Sequence, residues 1–262
     1  MFCVANIESE WRFDPSSLYS LSDEVAIVTG AASGLGRAIA YGLAECGASV
    51  VVADIDSDGA DDVADLIGDS AVSKRVDVTK PESVESLREF TLDRYGDYSI
   101  VFNIPGTNVR KSVFELSLED WNRVLEVNLT GMFVCAKVLG RHLVDREDGS
   151  VINMASGRAS NTGPEQSAYS ASKAGVVQLT KVLAAEWAPD VRVNAMSPGY
   201  TKTRLVREAM EDEEWYEEMR KQHLLGRFAE PREIVGGAVF LASEASTYAT
   251  GSVLTIDGGW SA

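Results

Sequence analysis

Short apolar runs rich in β-branched residues recur along the chain, each followed by a longer stretch of helical periodicity. The runs are Val25–Val28, Val50–Ala53, Ser99–Phe102, Ser150–Met154, Arg192–Ala195 and Ser252–Ile256, with a weaker one at Ala71–Val76. Between them Gly36–Cys46, Ala60–Ile67, Glu82–Asp93, Leu118–Val144, Ala168–Trp187 and Pro231–Ala242 carry a helical pattern. Short strands apolar on both faces and separated by helices predict a parallel sheet in a three-layer α/β/α domain. Seven strands in 262 residues leave no room for a second domain. Residues 21–262 therefore read as one domain behind a polar extension at 1–20. Segment 201–226 breaks the alternation, because Glu208–Arg220 is helical and highly charged with few apolar positions. It lies between the sixth and seventh strands, where a substrate lid would sit; a plain surface hairpin is the other reading.

Charge and composition narrow the function classes. The chain has 24 Lys+Arg against 40 Asp+Glu, a formal charge of −16, and is 45% hydrophobic. No apolar run approaches the ~18 residues of a membrane span. Glu8, Glu10 and Asp14 stand where a signal peptide would need a basic and then an apolar stretch. Cys3, Cys46 and Cys135 cannot all pair, so nothing argues for an oxidising compartment, and a cytoplasmic location is expected. The acidic balance argues against a nucleic-acid partner, which would require clustered Lys and Arg. Only eight of the 24 basic residues are lysines. Such a surface suits a high-salt cytoplasm, where screening suppresses self-repulsion, and equally an ordinary acidic protein.

The first strand runs into Gly30-Ala31-Ala32-Ser33-Gly34-Leu35-Gly36 and then into a helix. Strand, glycine-rich turn and helix in that order form an anion site: the backbone approaches closely, and free N–H groups at the helix start meet a pyrophosphate. The second strand ends at Asp54, 18 residues beyond Gly36. A carboxylate there accepts ribose hydroxyls and repels a 2′-phosphate, which favours NAD over NADP. Asp77, followed by Val78, is positioned after the third strand to reach an adenine amino group.

Tyr169 and Lys173 are four residues apart, on one face of a predicted helix. A phenol of pKa about 10 is a weak base near neutrality, but a neighbouring ammonium favours its ionised form. The pair then suits general acid/base work on an alcohol–carbonyl couple. Ser156, 13 residues before Tyr169, reaches the same end of the sheet and could hold the substrate oxygen. Asn128 could tie a water to the lysine. His142 and His223 are isolated and read as surface or lid residues, which leaves no metal site.

Together these residues resemble the short-chain dehydrogenase/reductase family of about 250 residues. The resemblance spans roughly 20–260 and also rests on Asn103 with Gly106, Pro198-Gly199 and Thr255-Ile256-Asp257-Gly258-Gly259. It implies a Rossmann-like, doubly wound seven-stranded sheet, a nicotinamide cofactor, hydride transfer and a homotetramer. By resemblance Asn128, Ser156, Tyr169 and Lys173 are catalytic. Tyr169 and Lys173 also meet the cofactor, and Pro198, Gly199, Thr201 and Thr203 frame its carboxamide. One departure stands out: Asn103-Ile104-Pro105-Gly106 replaces the family's Asn-Asn-Ala-Gly, so a hydrogen bond bracing the central strands is expected to be lost.

Asn108, Arg110, Arg158, Asn161 and Gln166 are expected around the pocket with Ser156. Two guanidinium groups and several amides favour a sugar, polyol or sugar acid over a steroid or long acyl chain. Thr107–Arg110, Phe114–Trp121 and Leu225–Pro231 resemble gluconate, deoxygluconate and polyol dehydrogenases. A 3-oxoacyl carrier-protein reductase and a non-catalytic nucleotide-binding regulator are the alternatives. Broad apolar faces on Val124–Leu143 and Ala168–Trp187, with Met132, Phe133, Val138, Val176, Val177, Leu179 and Leu183, would pair in a symmetric assembly.

Overall fold

The computed structural model describes residues 14–262. Most of the expected extension, including Cys3, Glu8 and Glu10, lies outside the described residues. Within it, Asp14 caps a single helical turn, Pro15–Leu18, by accepting the Ser16 N–H at 2.9 Å.

The strands are β1 (Val25–Thr29), β2 (Ser49–Asp54), β3 (Ala71–Arg75), β4 (Ile100–Asn103), β5 (Gly149–Met154), β6 (Val191–Pro198) and β7 (Val253–Ile256). They pair in parallel in the order β3-β2-β1-β4-β5-β6-β7. The connecting helices are α1 (Gly34–Glu45), α2 (Ser57–Ile67), α3 (Pro81–Tyr95), α4 (Leu118–Leu125), α5 (Gly131–Asp145) and α6 (Ser167–Trp187), then α7 (Arg204–Met210), α8 (Glu213–Lys221) and α9 (Arg232–Ala242).

The alternation of side chains along each strand explains why the apolar runs are continuous. Val28, Val50, Val52 and Phe102 face one layer with Ile39 and Leu43 of α1, Val63 of α2 and Ala238 of α9. Ile27, Val51, Val101 and Val151 face the other, with Leu87 of α3, Leu139 of α5 and Leu183 of α6. Both faces are dry, so neither needs polar positions. The expected doubly wound sheet is present, and its direction of growth reverses between β1 and β4. Ligands of such sheets bind at the strand carboxyl ends beside that reversal.

Two details differ from the sequence reading. The expected helix Leu118–Val144 is interrupted by a π-helical turn at Glu126–Thr130, which joins α4 to α5. Periodicity does not reveal it, because an inserted turn leaves the apolar stripe almost in phase on either side. The charged segment between β6 and β7 forms two helices rather than one. Asp212 divides them by accepting the Trp215 N–H at 3.1 Å, which caps α8. This segment packs on a small cluster of its own, Val206, Met219 and Phe228, and Thr201 bridges to Ala229 at its base.

Met132, Val176 and Leu183, expected on exposed helix faces, are instead packed inside the chain's own core. Phe133 and Val182 remain exposed on α5 and α6. Among the described residues, no helix is long and apolar enough to cross a membrane.

Candidate active site

A cavity of about 450 Å³ opens at the carboxyl ends of the central strands. One arm is lined by Gly30, Ser33, Gly34, Leu35, Gly36, Asp54 and Ile55. Gly30 adopts φ +74°, and a Cβ there would lie 2.7 Å from Pro105 N. A Cβ on Gly36 would collide with the Gly30 carbonyl. The turn therefore closes tightly only without side chains at these two positions. Ser33 is the N-cap of α1 but makes no side-chain cap bond. Among the described residues, the N–H groups of Gly34, Leu35 and Gly36 have no acceptor, and α1 begins with the Arg37 N–H on Ser33 O. Those donors, at the positive end of a helix dipole, fit a pyrophosphate.

Asp54 closes the far end of this arm. Its Oδ2 accepts the Ala32 N–H and its Oδ1 the Asp56 N–H, both at 3.0 Å. A carboxylate has about four acceptor sites, so two remain for ribose hydroxyls. The residues present thus fit a dinucleotide.

Asp77, Val78 and Asn103 do not line the cavity, contrary to the simplest sequence reading. Asp77 accepts the Thr79 N–H and hydroxyl, and these bonds hold its carboxyl below the usual range. Val78 packs against Gly131. Asn103 is fully buried and donates to Asn153 Oδ1 at 2.9 Å, while Asn153 donates to Thr180 Oγ1 at 3.0 Å. Thr29 Oγ1 also donates to Phe102 O, and Ile104 N–H to Thr29 O. Thr29 and Asn153 thus tie β4 to β1 and β5, while Asn103 Oδ1 stays buried without a partner among the described residues. Ile104 instead joins the core, and Pro105 fills the space that Gly30 leaves open.

The other arm brings together Ser156, from the end of β5, with Tyr169 and Lys173 of α6. Ser156 Oγ accepts the Arg158 N–H at 3.2 Å and lines the cavity beside the Tyr169 phenol. Burial pushes that phenol up; Ser156, Arg158 and Arg110 pull it down, and Tyr200 pushes it up. Lys173 is 2% exposed, its Nζ donates to Met154 O at 2.8 Å, and it stands 5.8 Å from the Tyr169 ring centre. Burial pulls the ammonium down to about 7.

Asn128 lies within the π-helical turn, fully buried behind the cavity. Its Oδ1 accepts the Thr107 N–H at 2.8 Å, and its Nδ2 donates to Thr107 O and Ser172 Oγ. The amide thus pins the loop after β4 to α6. A Cβ on Gly106 would sit 3.7 Å from Lys173 Nζ and 3.8 Å from Asn128 Oδ1, so the two groups approach the same point. Turns of π-helix are often found where a side chain must be re-aimed at a site.

Asn108, Arg110, Arg158 and Gln166 all border the cavity with Ser156. Asn108 Oδ1 is buried with no partner among the described residues. Arg110 lies over the Trp215 ring, 4.8 Å from its centre. Its loop is tied to the segment before α6 by the Lys111 N–H on Glu165 O. Arg158 is less available than expected: its Nη1 donates to Thr162 O and its Nη2 to the Tyr200 hydroxyl. Asn161 turns to Trp260 O rather than to the cavity. Pro198, Gly199, Thr201 and Thr203 border the junction between the two arms.

A family profile described as enoyl-(acyl carrier protein) reductase matches residues 30–261. The chain is 38% identical over 243 residues to the NAD-dependent glycerol dehydrogenase of Listeria innocua, covering 92% of this chain and 95% of that protein. It is also 38% identical to the D-threitol dehydrogenase of Mycolicibacterium smegmatis, covering 92% and 94%. The crystal structure of a gluconate 5-dehydrogenase from Burkholderia cenocepacia, in complex with NADP and tartrate, superposes with a TM-score of 0.91. It is 31% identical, with coverage of 95% and 99%. This chain is a short-chain dehydrogenase/reductase.

As a member of that family the dehydrogenase is an NAD(P)-dependent oxidoreductase acting on CH–OH groups. Several parts of its site were not foreseen. Tyr200 and Trp260 line the cavity. Only the adjacency of Tyr200 to Pro198-Gly199 pointed its way. His223 is 3% exposed rather than on the surface, with its Nδ1 on Met219 O and its ring stacked 5.6 Å from Trp260. His142 is half-buried and pairs with Asp97. Neither histidine has metal-binding company: among the described residues, no cluster of three His, Cys, Asp or Glu could hold an ion.

Proposed function

We propose that this dehydrogenase moves a hydride between NAD, used in preference to NADP, and a secondary alcohol or ketone of a sugar, polyol or sugar acid. One observation carries the reading: Ser156 and Tyr169 line a cavity together with Arg110 and with the unpartnered Asn108 carbonyl. A reacting alcohol meets the pair, while a hydroxyl elsewhere on the substrate satisfies Asn108 and a carboxylate satisfies Arg110. Bound nicotinamide supplies the hydride acceptor for alcohol oxidation, or the donor in the reverse direction. Tyr169 takes the alcohol proton in oxidation and returns it in reduction. Ser156 steadies the substrate oxygen as charge develops. The Lys173 ammonium favours the phenolate, and Asn128 keeps the Thr107 loop and α6 in register around it. Asp54 supports the choice of NAD, since its carboxylate would face the 2′-phosphate of NADP.

A polar inner rim of Asn108, Arg110 and Gln166 disfavours a long acyl chain, which argues against a carrier-protein reductase. The intact Tyr169, Lys173 and glycine turn argue against a silent regulator. Arg204, Leu205 and Val206 border the cavity, so α7 acts as its lid. Exposed Phe133 and Val182 support helix pairing in a homotetramer. The charge of −16 supports a high-salt cytoplasm as its setting. The test is a screen of NADH and NADPH fluorescence against polyols, aldonates, deoxyketo acids and sugars, at low and high KCl. Turnover of a polyol or sugar acid with NAD supports the reading; turnover confined to an acyl thioester with NADPH overturns it.

A further inference from the structure

Tyr200 is held from two sides. Its ring stacks on Phe228, with centres 4.9 Å apart and planes at 20°, and meets Trp215 edge-on at 5.3 Å. Its hydroxyl accepts from Arg158 Nη2 at 2.9 Å. Arg158 is itself fixed: it is 9% exposed, lies 4.6 Å from the centre of Trp260, and donates through Nη1 to Thr162 O at 2.6 Å. A side chain on Gly163 would occupy the space its guanidinium takes. An arginine donates and never accepts, so this bond uses the oxygen of Tyr200 and leaves its single O–H proton to point elsewhere. No acceptor for that proton exists among the described residues. Tyr200 borders the same cavity as Ser156 and Tyr169.

We propose that Tyr200 is a specificity-determining residue, its hydroxyl donating to an oxygen on the carbon next to the one that reacts, and that Arg158 is the positioning residue that aims it. The favoured substrates are then vicinal diols and α-hydroxy ketones rather than isolated alcohols. A donor fixed in this way is left unpaired by an analogue lacking the second oxygen, and sites of that kind discriminate strongly. This inference rests on the reading of the cavity as a polyol or sugar-acid site.

The test is calorimetric titration of butane-2,3-diol, in each stereoisomer, and of butan-2-ol into the NADH-bound enzyme, a dead-end complex in which no alcohol is oxidised. Butan-2-ol carries no oxygen on either carbon next to its alcohol carbon, whereas the diol carries two hydroxyls on adjacent carbons. The wild type is expected to bind one diol stereoisomer at least about tenfold more tightly than butan-2-ol. Tyr200→Phe, which keeps the ring and its packing, is expected to bring that ratio close to one. Arg158→Met is expected to lower the ratio as well, and a folded Tyr200→Phe remains decisive if this buried substitution fails to fold. Equal binding of diol and mono-alcohol by the wild type, or a Tyr200→Phe loss of the same size for both, overturns the assignment. Failure of the wild type to bind either the diol or glycerol overturns the reading of the cavity beneath it.

Discussion

The Lys173 ammonium lies 5.8 Å from the centre of the Tyr169 ring and is hydrogen-bonded to the Met154 carbonyl at the end of β5. One bond thus fixes that charge to the end of the strand that leads into Ser156. Burial makes that charge costly, and the cost has a pH signature. The unfolded chain keeps Lys173 protonated up to about 10.5, whereas in the folded chain burial pulls it to about 7. Between pH 7 and 8.5 the unfolded state therefore binds more protons, and this group makes the fold more stable as pH rises, by roughly 1–2 kcal/mol. Urea unfolding of the cofactor-free chain at the two pH values measures it. Lys173→Met should remove that increment, and an identical pH slope in both proteins would show that the lysine is not buried as a charge.

Asp54 braces Ala32 in the glycine turn, and in the proposed function it also faces the ribose. Asp54→Ala should raise KM for NAD about tenfold, the worth of one or two hydrogen bonds to a charged group, and narrow the preference over NADP. Paired KM measurements check this. A variant that keeps the wild-type NAD-to-NADP ratio would remove Asp54 from cofactor choice.

In the proposed function Arg110 separates acid from neutral substrates. Loss of a charge-assisted bond to a carboxylate should raise KM for an aldonate by about tenfold or more in Arg110→Ala, with a smaller change for an uncharged polyol. A rise of the same size for both would mean that the arginine shapes the cavity through Trp215 rather than by binding a carboxylate.

The charge of −16 makes repulsion within and between copies sensitive to ionic strength. Thermal unfolding between 0.1 and 2 M KCl should show a Tm that rises by several degrees, and light scattering a tetramer that tightens with salt. A flat or falling Tm would leave an ordinary acidic surface with no adaptation to salt.

Most of what positions the chemistry was legible along the chain. β-Branched runs buried on both faces can be little other than parallel strands, and a glycine turn between the first strand and helix marks the dinucleotide arm. Tyr169, Lys173 and Ser156 were found by spacing together with their place in the order of elements. The π-helical turn around Asn128 was not legible, since it changes backbone hydrogen bonding without changing the apolar pattern. Arg158 misled for a different reason. Sequence placed it beside Ser156, but only the fold brings Tyr200, Thr162 and Trp260 from distant segments to claim its guanidinium. The bond from Asn103 to Asn153 likewise joins neighbouring strands through a partner that no local motif announces.

The central claim is that the Tyr169 hydroxyl carries the proton for hydride transfer at a nicotinamide held by the glycine turn. Its most direct measurement compares wild type and Tyr169→Phe in two readings: NADH binding by fluorescence titration, and the single-turnover rate of NADH formation with the best substrate from the screen. Loss of a general acid/base should slow that rate by about 10²–10⁴-fold while NADH affinity stays within a few-fold. A variant that binds NADH and forms it at the wild-type rate would contradict the account.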